Sequence, residues 1–237
     1  MILITLDIDW APDFIIKKVD EILKEKGVKA TWFVTHNSAY LNNLAKNKNY
    51  ELGIHPNFLP NTTQGKTPKE ILKNLKKIVP NSVSLRTHSL HQNAHLLSLY
   101  KNYGIKFDTS LLLYKTKNIE PHYIPVFGLH RIPYFWEDDA ETYEKKPDWS
   151  FESTKHIQGL KIYNFHPIHI ILNTNNMHYF KKIQNKVQTD SLTDEILEKY
   201  VNKKKGTKDI FLEILDFLQS KKTFTMNEVI KKFDTFT

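Results

Sequence analysis

The chain of 237 residues contains no cysteine. Disulfides, thiolate metal sites and cysteine nucleophiles are therefore excluded, and any metal must sit on His, Asp, Glu or amide ligands. No stretch approaches the ~20 apolar residues of a membrane span. The opening run, Ile2-Leu3-Ile4-Thr5-Leu6-Asp7, is short and meets an acid at once, and no signal-peptide core precedes it. A cytoplasmic protein is the expectation. There is no internal repeat and no low-complexity segment. Nothing resembles a recognition helix, a zinc finger or an RNA-binding signature, so no specific nucleic-acid partner is expected despite a net charge of +8. The lysines are spread over candidate helices, as at Lys17, Lys18, Lys24 and Lys26, with one run at Lys203 to Lys205. That is the pattern of a solvated face.

What is present is ample for a core: 40% hydrophobic residues, with 4 Trp, 11 Tyr and 14 Phe, which argues against disorder. The length suits a single α/β domain with a helical tail. Residues 2–6 form an apolar run without polar alternation, as in a strand buried on both faces. Pro12 and Asp13 then open a helix whose stripe is Ile15, Val19, Ile22 and Leu23 and whose stop is Gly27. Further strands are expected over 28–34, 50–54, 83–85, 105–107 and 159–165, and shorter ones around Val126 and Ile132. Helices are expected over 38–45, from a capping box at Thr67-Pro68-Lys69-Glu70, and over 93–103. Beyond Tyr179 the pattern is helical to the end, with a second capping box at Thr225 to Glu228. Repeated strand–helix alternation predicts a parallel α/β architecture.

In such folds the active site lies at the carboxyl ends of the strands. The polar groups expected there are Asp7-Ile8-Asp9, His55-Pro56-Asn57, Arg86-Thr87-His88 and Asn164-Phe165-His166. Singly, each has a bland alternative, such as a helix cap or a hydrogen-bonded loop histidine. Together they place acids, histidines and an arginine on one rim.

The order of these segments resembles the polysaccharide deacetylases of the NodB-like, carbohydrate esterase family 4 type. Ile4 to Asp9 resembles that family's TFDD element, and Ala30 to Val34 its ATFFV strand. Glu51 to His55 resembles the EIGNH entry to the second motif, Arg86 the arginine of the third, Gly104 to Ser110 the Asp-containing strand, and Phe165-His166 the fifth motif. The stretches around His55, Arg86 and His166 look most like the WbmS-type branch, associated with O-antigen and other surface-polysaccharide gene clusters. Residues 1 to about 175 are covered by the resemblance.

The resemblance implies a distorted (β/α) barrel of about seven parallel strands over residues 1–175, with a helical extension over 176–237 packed on the same domain. It implies hydrolytic N-deacetylation of an N-acetylated sugar, nucleotide- or lipid-linked, in O-antigen or capsule biosynthesis. The implied cofactor is a divalent metal, zinc first, with cobalt, nickel, iron or manganese as alternatives. By carry-over Asp7 is the base, Asp9 and His55 are metal ligands, Arg86 pairs with Asp7, and His166 protonates the leaving amine. His88 is a substrate contact. Trp136 walls the acetyl pocket, and Asp138 is the acid beside the catalytic histidine. The family's second motif carries a second histidine four residues on, where this chain has Leu59. Asn57 is taken as the replacement ligand, with Asn61, Gln64 and His88 as alternatives. Two other functions stay open: a metal-free relative that binds glycan, and an amidase of the same fold acting on a non-sugar amide.

Overall fold

The structure, a computed structural model, describes residues 1–187 and 193–233; the helix expected over 188–192 and 234–237 lies outside the described residues. Among the described residues nine strands form one sheet: β1 Ile2–Asp7, β2 Ala30–Val34, β3 Tyr50–Ile54, β4 Ser84–Leu85, β5 Phe107–Asp108, β6 His122–Ile124, β7 Leu129–Arg131, β8 Trp136–Glu137 and β9 Lys161–Phe165. The order across the sheet is β6-β7-β5-β4-β3-β2-β1-β9-β8. The edges β6 and β8 are not paired with each other, so the sheet curls as an open half-barrel. The helices between and after the strands are α1 Asp13–Lys26, α2 Leu41–Lys46, α3 Pro68–Ile78, α4 Ala94–Tyr100, α5 Asp138–Thr142, α6 Glu152–Lys155, α7 Pro167–Leu172, α8 Met177–Val187, α9 Asp194–Tyr200, α10 Thr207–Leu218 and α11 Met226–Phe233.

The expectation of about seven parallel strands is corrected to nine strands, of which β6 runs antiparallel to β7. The extra strand comes from a tight turn. Val126 is not a strand residue but sits at the turn, 79% exposed, and the Gly128 N–H closes it on Pro125 O at 3.0 Å with φ of 58°. That left-handed value suits glycine. β8 was hidden because it is only two residues long, at the sheet edge beside β9.

The central strands formed where their composition said. β1, β2 and β9 are buried almost throughout, and Ile4, Leu6, Trp32, Phe33, Ile162 and Phe165 feed one continuous core. Local signals set the helix ends. Gly27 closes α1 in the left-handed region, Thr67 accepts from Glu70 N–H at 3.2 Å to start α3, and Asn93 accepts from Leu96 N–H at 3.0 Å to start α4. The expected helix over 93–103 ends earlier, at Tyr100, and continues as a 3₁₀ turn over Lys101–Tyr103. At the second capping box Glu228 accepts from Thr225 N–H at 3.0 Å. Helix α10 packs on α1 and α7, and Ile210, Phe211 and Ile214 join the barrel core. No helix among the described residues is long and apolar enough to cross a membrane.

Candidate functional site

The site begins where β1, β3, β4 and β9 end. Ile8 N–H donates to Phe33 O at 3.2 Å, which keeps the chain extended past Asp7. Asp7 and Asp9 thereby both reach the same space, as the two-residue period of a strand requires. The next residue, Trp10, turns the chain with φ of 54°. His55 is held by its N–H on Val34 O at 2.8 Å, Arg86 on Ile54 O at 3.1 Å and His88 on Pro56 O at 2.9 Å. Asp7, His55, Arg86, His88 and His166 line one cavity of about 340 Å³, together with Trp10, Tyr134, Glu137, Asp139 and residues of α8.

Asp9, His55 and His88 form the first cluster. Asp9 Oδ2 lies 3.0 Å from His55 Nε2, and Asp9 Oδ1 lies 3.5 Å from His88 Nδ1. One ligand atom from each residue lies within 4.8 Å of the others, as metal coordination requires. Asp9 Oδ2 is buried and accepts no aligned hydrogen bond. A buried carboxylate oxygen whose nearest donor, His55 Nε2, is poorly aligned is costly unless something else fills it. Burial opposes the charge on Asp9, but the imidazoles of His55, His88 and His166 outweigh it and hold the carboxyl well below the usual range. The donor set of one carboxylate and two imidazoles fits a divalent transition metal.

Asn57 is engaged locally. Its Oδ1 accepts from Leu59 N–H at 2.9 Å, and its own N–H donates to Gln64 Oε1 at 2.7 Å. The side chain is spent on a local turn, as Asn side chains often are. Gln64 is likewise spent, donating to Thr35 O at 2.8 Å and His55 O at 3.1 Å. His88, suggested by the sequence as a substrate contact and as an alternative ligand, lies beside Asp9 and His55 and also lines the cavity.

Asp7 is built into a second cluster. Arg86 Nη1 donates to Asp7 Oδ1 at 3.1 Å and to Thr5 Oγ1 at 3.0 Å, and also to Asn164 Oδ1; Arg86 Nε donates to Thr109 O at 3.3 Å. The guanidinium lies between two rings, 4.6 Å from the Phe33 centroid and 4.5 Å from that of Tyr134. Gly53 makes the first of these contacts possible, since a Cβ there would lie 2.6 Å from the Phe33 ring. Asn164 Nδ2 donates to Asp7 Oδ2 at 2.9 Å and to Glu137 Oε1 at 3.1 Å. Asp7 thus has a fixed donor on each oxygen.

His166 forms the third cluster. Its N–H donates to Asp138 Oδ2 at 2.7 Å, and its Nδ1 lies 2.7 Å from Asp138 Oδ1. Burial opposes protonation of His166, but the carboxylates of Asp139, Asp138 and Asp7 prevail and raise its pKa well above the ordinary value. Its Nε2 faces Asp9 Oδ2 at 4.0 Å. Beside it, His169 Nε2 lies 2.8 Å from Asp139 Oδ1. Asp138 does not line the cavity itself and reaches it only through His166.

Trp136 lies outside the cavity. It is fully buried against Phe165 and Trp149, with Nε1 donating to Glu141 Oε2 at 2.8 Å. Adjacent residues of β8 face opposite ways, so the cavity receives Glu137 rather than Trp136. The indole in the cavity is Trp10, stacked on His166 with centroids 5.9 Å apart at 26°. Glu137, Trp10 and the side chain of Asn164 were missed as site residues. Asn164 had a usable signal, since it stands two before His166 on the same strand face. Burial, with Asp139 next, pushes the Glu137 carboxyl up to about 7.

A family model described as WbmS-like polysaccharide deacetylase matches residues 4–184. No curated relative matches the chain. Among solved structures, WbmS of Bordetella bronchiseptica, assigned as a polysaccharide deacetylase involved in O-antigen biosynthesis, is 30% identical with a TM-score of 0.82, over 91% of this chain and 90% of that one. A Mycobacterium smegmatis structure assigned as a polysaccharide deacetylase is 16% identical with a TM-score of 0.53, over 84% of this chain and 89% of that one. The 4-α-glucanotransferase of Thermococcus litoralis is 11% identical with a TM-score of 0.54, over 98% of this chain and 38% of that one. Those last two share the fold alone. This chain belongs to the WbmS-like polysaccharide deacetylases, hydrolases of non-peptide carbon–nitrogen bonds.

Proposed function

We propose that this protein removes the acetyl group from an N-acetylated sugar precursor of a surface polysaccharide, with a divalent metal held by Asp9, His55 and His88. The observation that carries this reading is the convergence of Asp9, His55 and His88, with one ligand atom of each within 4.8 Å of the others, where His55 and His88 line the same cavity as Asp7 and His166. A metal at that cluster supplies a water of lowered pKa and polarises the acetamide carbonyl. Asp7, kept ionised by Arg86 and oriented by Asn164, accepts the proton of the attacking water. His166, held protonated by Asp139 and Asp138, gives the proton of Nε2 to the departing nitrogen. The carbon–nitrogen bond breaks to leave acetate and a free amine.

Zinc is the metal best matched to this donor set. The O-antigen assignment of the Bordetella relative supports a role in making such a polysaccharide or a capsule. The net charge of +8 suits a nucleotide- or lipid-linked sugar, whose phosphates are anionic, in the cytoplasm. The helices after residue 175 belong with the barrel as one domain, consistent with the packing of α10 on α1 and α7.

The test is elemental analysis of the purified wild type and of His55→Ala, alongside acetate release from acetamido sugars. Near-stoichiometric metal in the wild type and its loss in the variant, with acetate release falling in parallel, is expected. A metal-free wild type that binds glycan without releasing acetate would replace this reading with that of a glycan-binding relative.

A further inference from the structure

Three carboxyl groups stand on the cavity wall: Asp7, Glu137 and Asp139. Asp7 pairs with Arg86, and Asp139 pairs with His169. Glu137 has no cationic partner within salt-bridge distance among the described residues. It is instead fixed by neutral groups. Asn164 Nδ2 donates to it at 3.1 Å, and the Tyr134 hydroxyl near it is buried with no aligned hydrogen-bond partner of its own. A partly buried carboxyl with no cation in contact is destabilising where it stands. Such groups persist where a ligand uses them.

The position narrows the ligand. Asn164 holds Asp7 and Glu137 with the two hydrogens of one amide, so Glu137 is fixed beside the proposed base. What Glu137 meets is therefore next to the group undergoing hydrolysis. The Glu137 carboxyl accepts and the unpartnered Tyr134 hydroxyl beside it donates, which matches a hydroxyl that both gives and takes a hydrogen bond. Strand β8 is anchored by the buried Trp136 and by Asp138 on His166, so Glu137 is held by rigid neighbours.

We propose that Glu137, with the Tyr134 hydroxyl beside it, reads the hydroxyl group that neighbours the acetamido group on the substrate sugar. This rests on the deacetylase reading and adds the feature that selects the sugar. A site built for a hydroxyl discriminates strongly against an analogue that lacks it, because its own polar group is then left unpaired.

The experiment compares kcat/KM for an accepted N-acetylhexosamine and for its analogue without that hydroxyl, in the wild type, Glu137→Ala and Glu137→Gln, with thermal melts as the folding check. The wild type is expected to lose about 10- to 100-fold on the deoxy analogue, the range of one hydrogen bond to a charged or buried group. Glu137→Ala is expected to treat the two sugars alike within about twofold, since the hydrogen bond that separates them is gone. An equal fall on both sugars in Glu137→Ala would overturn the proposal and make the residue structural or catalytic. Should the wild type deacetylate no acetamido sugar, the deacetylase reading fails separately. Calorimetric binding of the same two sugars then decides for Glu137: a preference for the hydroxylated sugar that is lost in Glu137→Ala supports it, and equal wild-type affinities overturn it.

Discussion

The two ends of the strands treat buried charge in opposite ways. At the amino-terminal end, Glu51 accepts from Ser84 Oγ at 2.7 Å and from Asn227 N–H at 2.7 Å, with Thr31 Oγ1 at 3.4 Å. Lys161 there gives its Nζ to the carbonyls of Thr154 at 3.3 Å and Lys155 at 2.5 Å. Each of these charges is answered by the protein's own backbone and hydroxyls, and Glu51 thereby caps the start of α11. At the carboxyl end, Asp9 Oδ2, His55 Nδ1, Arg86 Nη2 and Thr87 Oγ1 are buried without an aligned partner. The same end carries backbone strain: Trp10, Ser89 and Leu90 have φ of 54°, 53° and 55°, and all three line the cavity. A left-handed residue other than glycine is disfavoured by about 1–2 kcal/mol. Satisfied charge marks a place the fold uses for itself. Unsatisfied charge with strain marks a place reserved for something else.

This contrast can be broken at the carboxyl end first, where the largest effect lies. His166→Ala is expected to lower kcat by about 10²–10⁴-fold with little change in KM, as for loss of a positioned proton donor. Steady-state kinetics check it, and a defect confined to KM would remove His166 from that role. Second in size is the pair His88→Ala and Asn57→Ala. Elemental analysis should show metal lost from the first and retained by the second. Asn57→Ala should only lower stability by about 1 kcal/mol, the worth of its turn hydrogen bond. Metal lost equally from both would restore Asn57 as a ligand.

The smallest effect belongs to the amino-terminal end. Burial raises the Glu51 carboxyl above its ordinary value of 4.5, against the hydrogen bonds that lower it. The folded state therefore binds the proton more tightly than the unfolded state. Stability from this group is present below the ordinary value and is lost as pH rises through the folded value. Glu51→Gln removes that titration, so its denaturant midpoint should fall less than that of the wild type as pH rises past 4.5. Activity per folded molecule should be unchanged. A fall in activity at constant folded fraction would mean that the two ends are coupled after all.

Much of the frame was legible before any coordinates. The strands β1, β2, β3 and β9, the helix start at Asn93 and the capping boxes at Thr67 and Thr225 are local signals, each written in a few adjacent residues. So were the four polar strand ends, because parallel strands put their carboxyl ends on one rim. The β6–β7 hairpin and the two-residue β8 were not legible, since strands so short carry no periodicity.

The sequence by itself determined the family, the class of fold and the presence of Asp7, Asp9, His55, Arg86 and His166 at one end of the sheet. The family came from the resemblance of its motifs, and the rest from strand period and the order of strands and helices along the chain. Only the tertiary structure decided which groups meet across strands. It turned Asn57 into a local turn and brought His88 to Asp9 at 3.5 Å. It buried Trp136 and put Trp10 on His166. It joined Asp7 to Glu137 through one amide of Asn164, from residues 157 and 27 positions away in sequence. Contacts at such separations depend on sheet order and register, which pairwise spacing in a sequence does not contain.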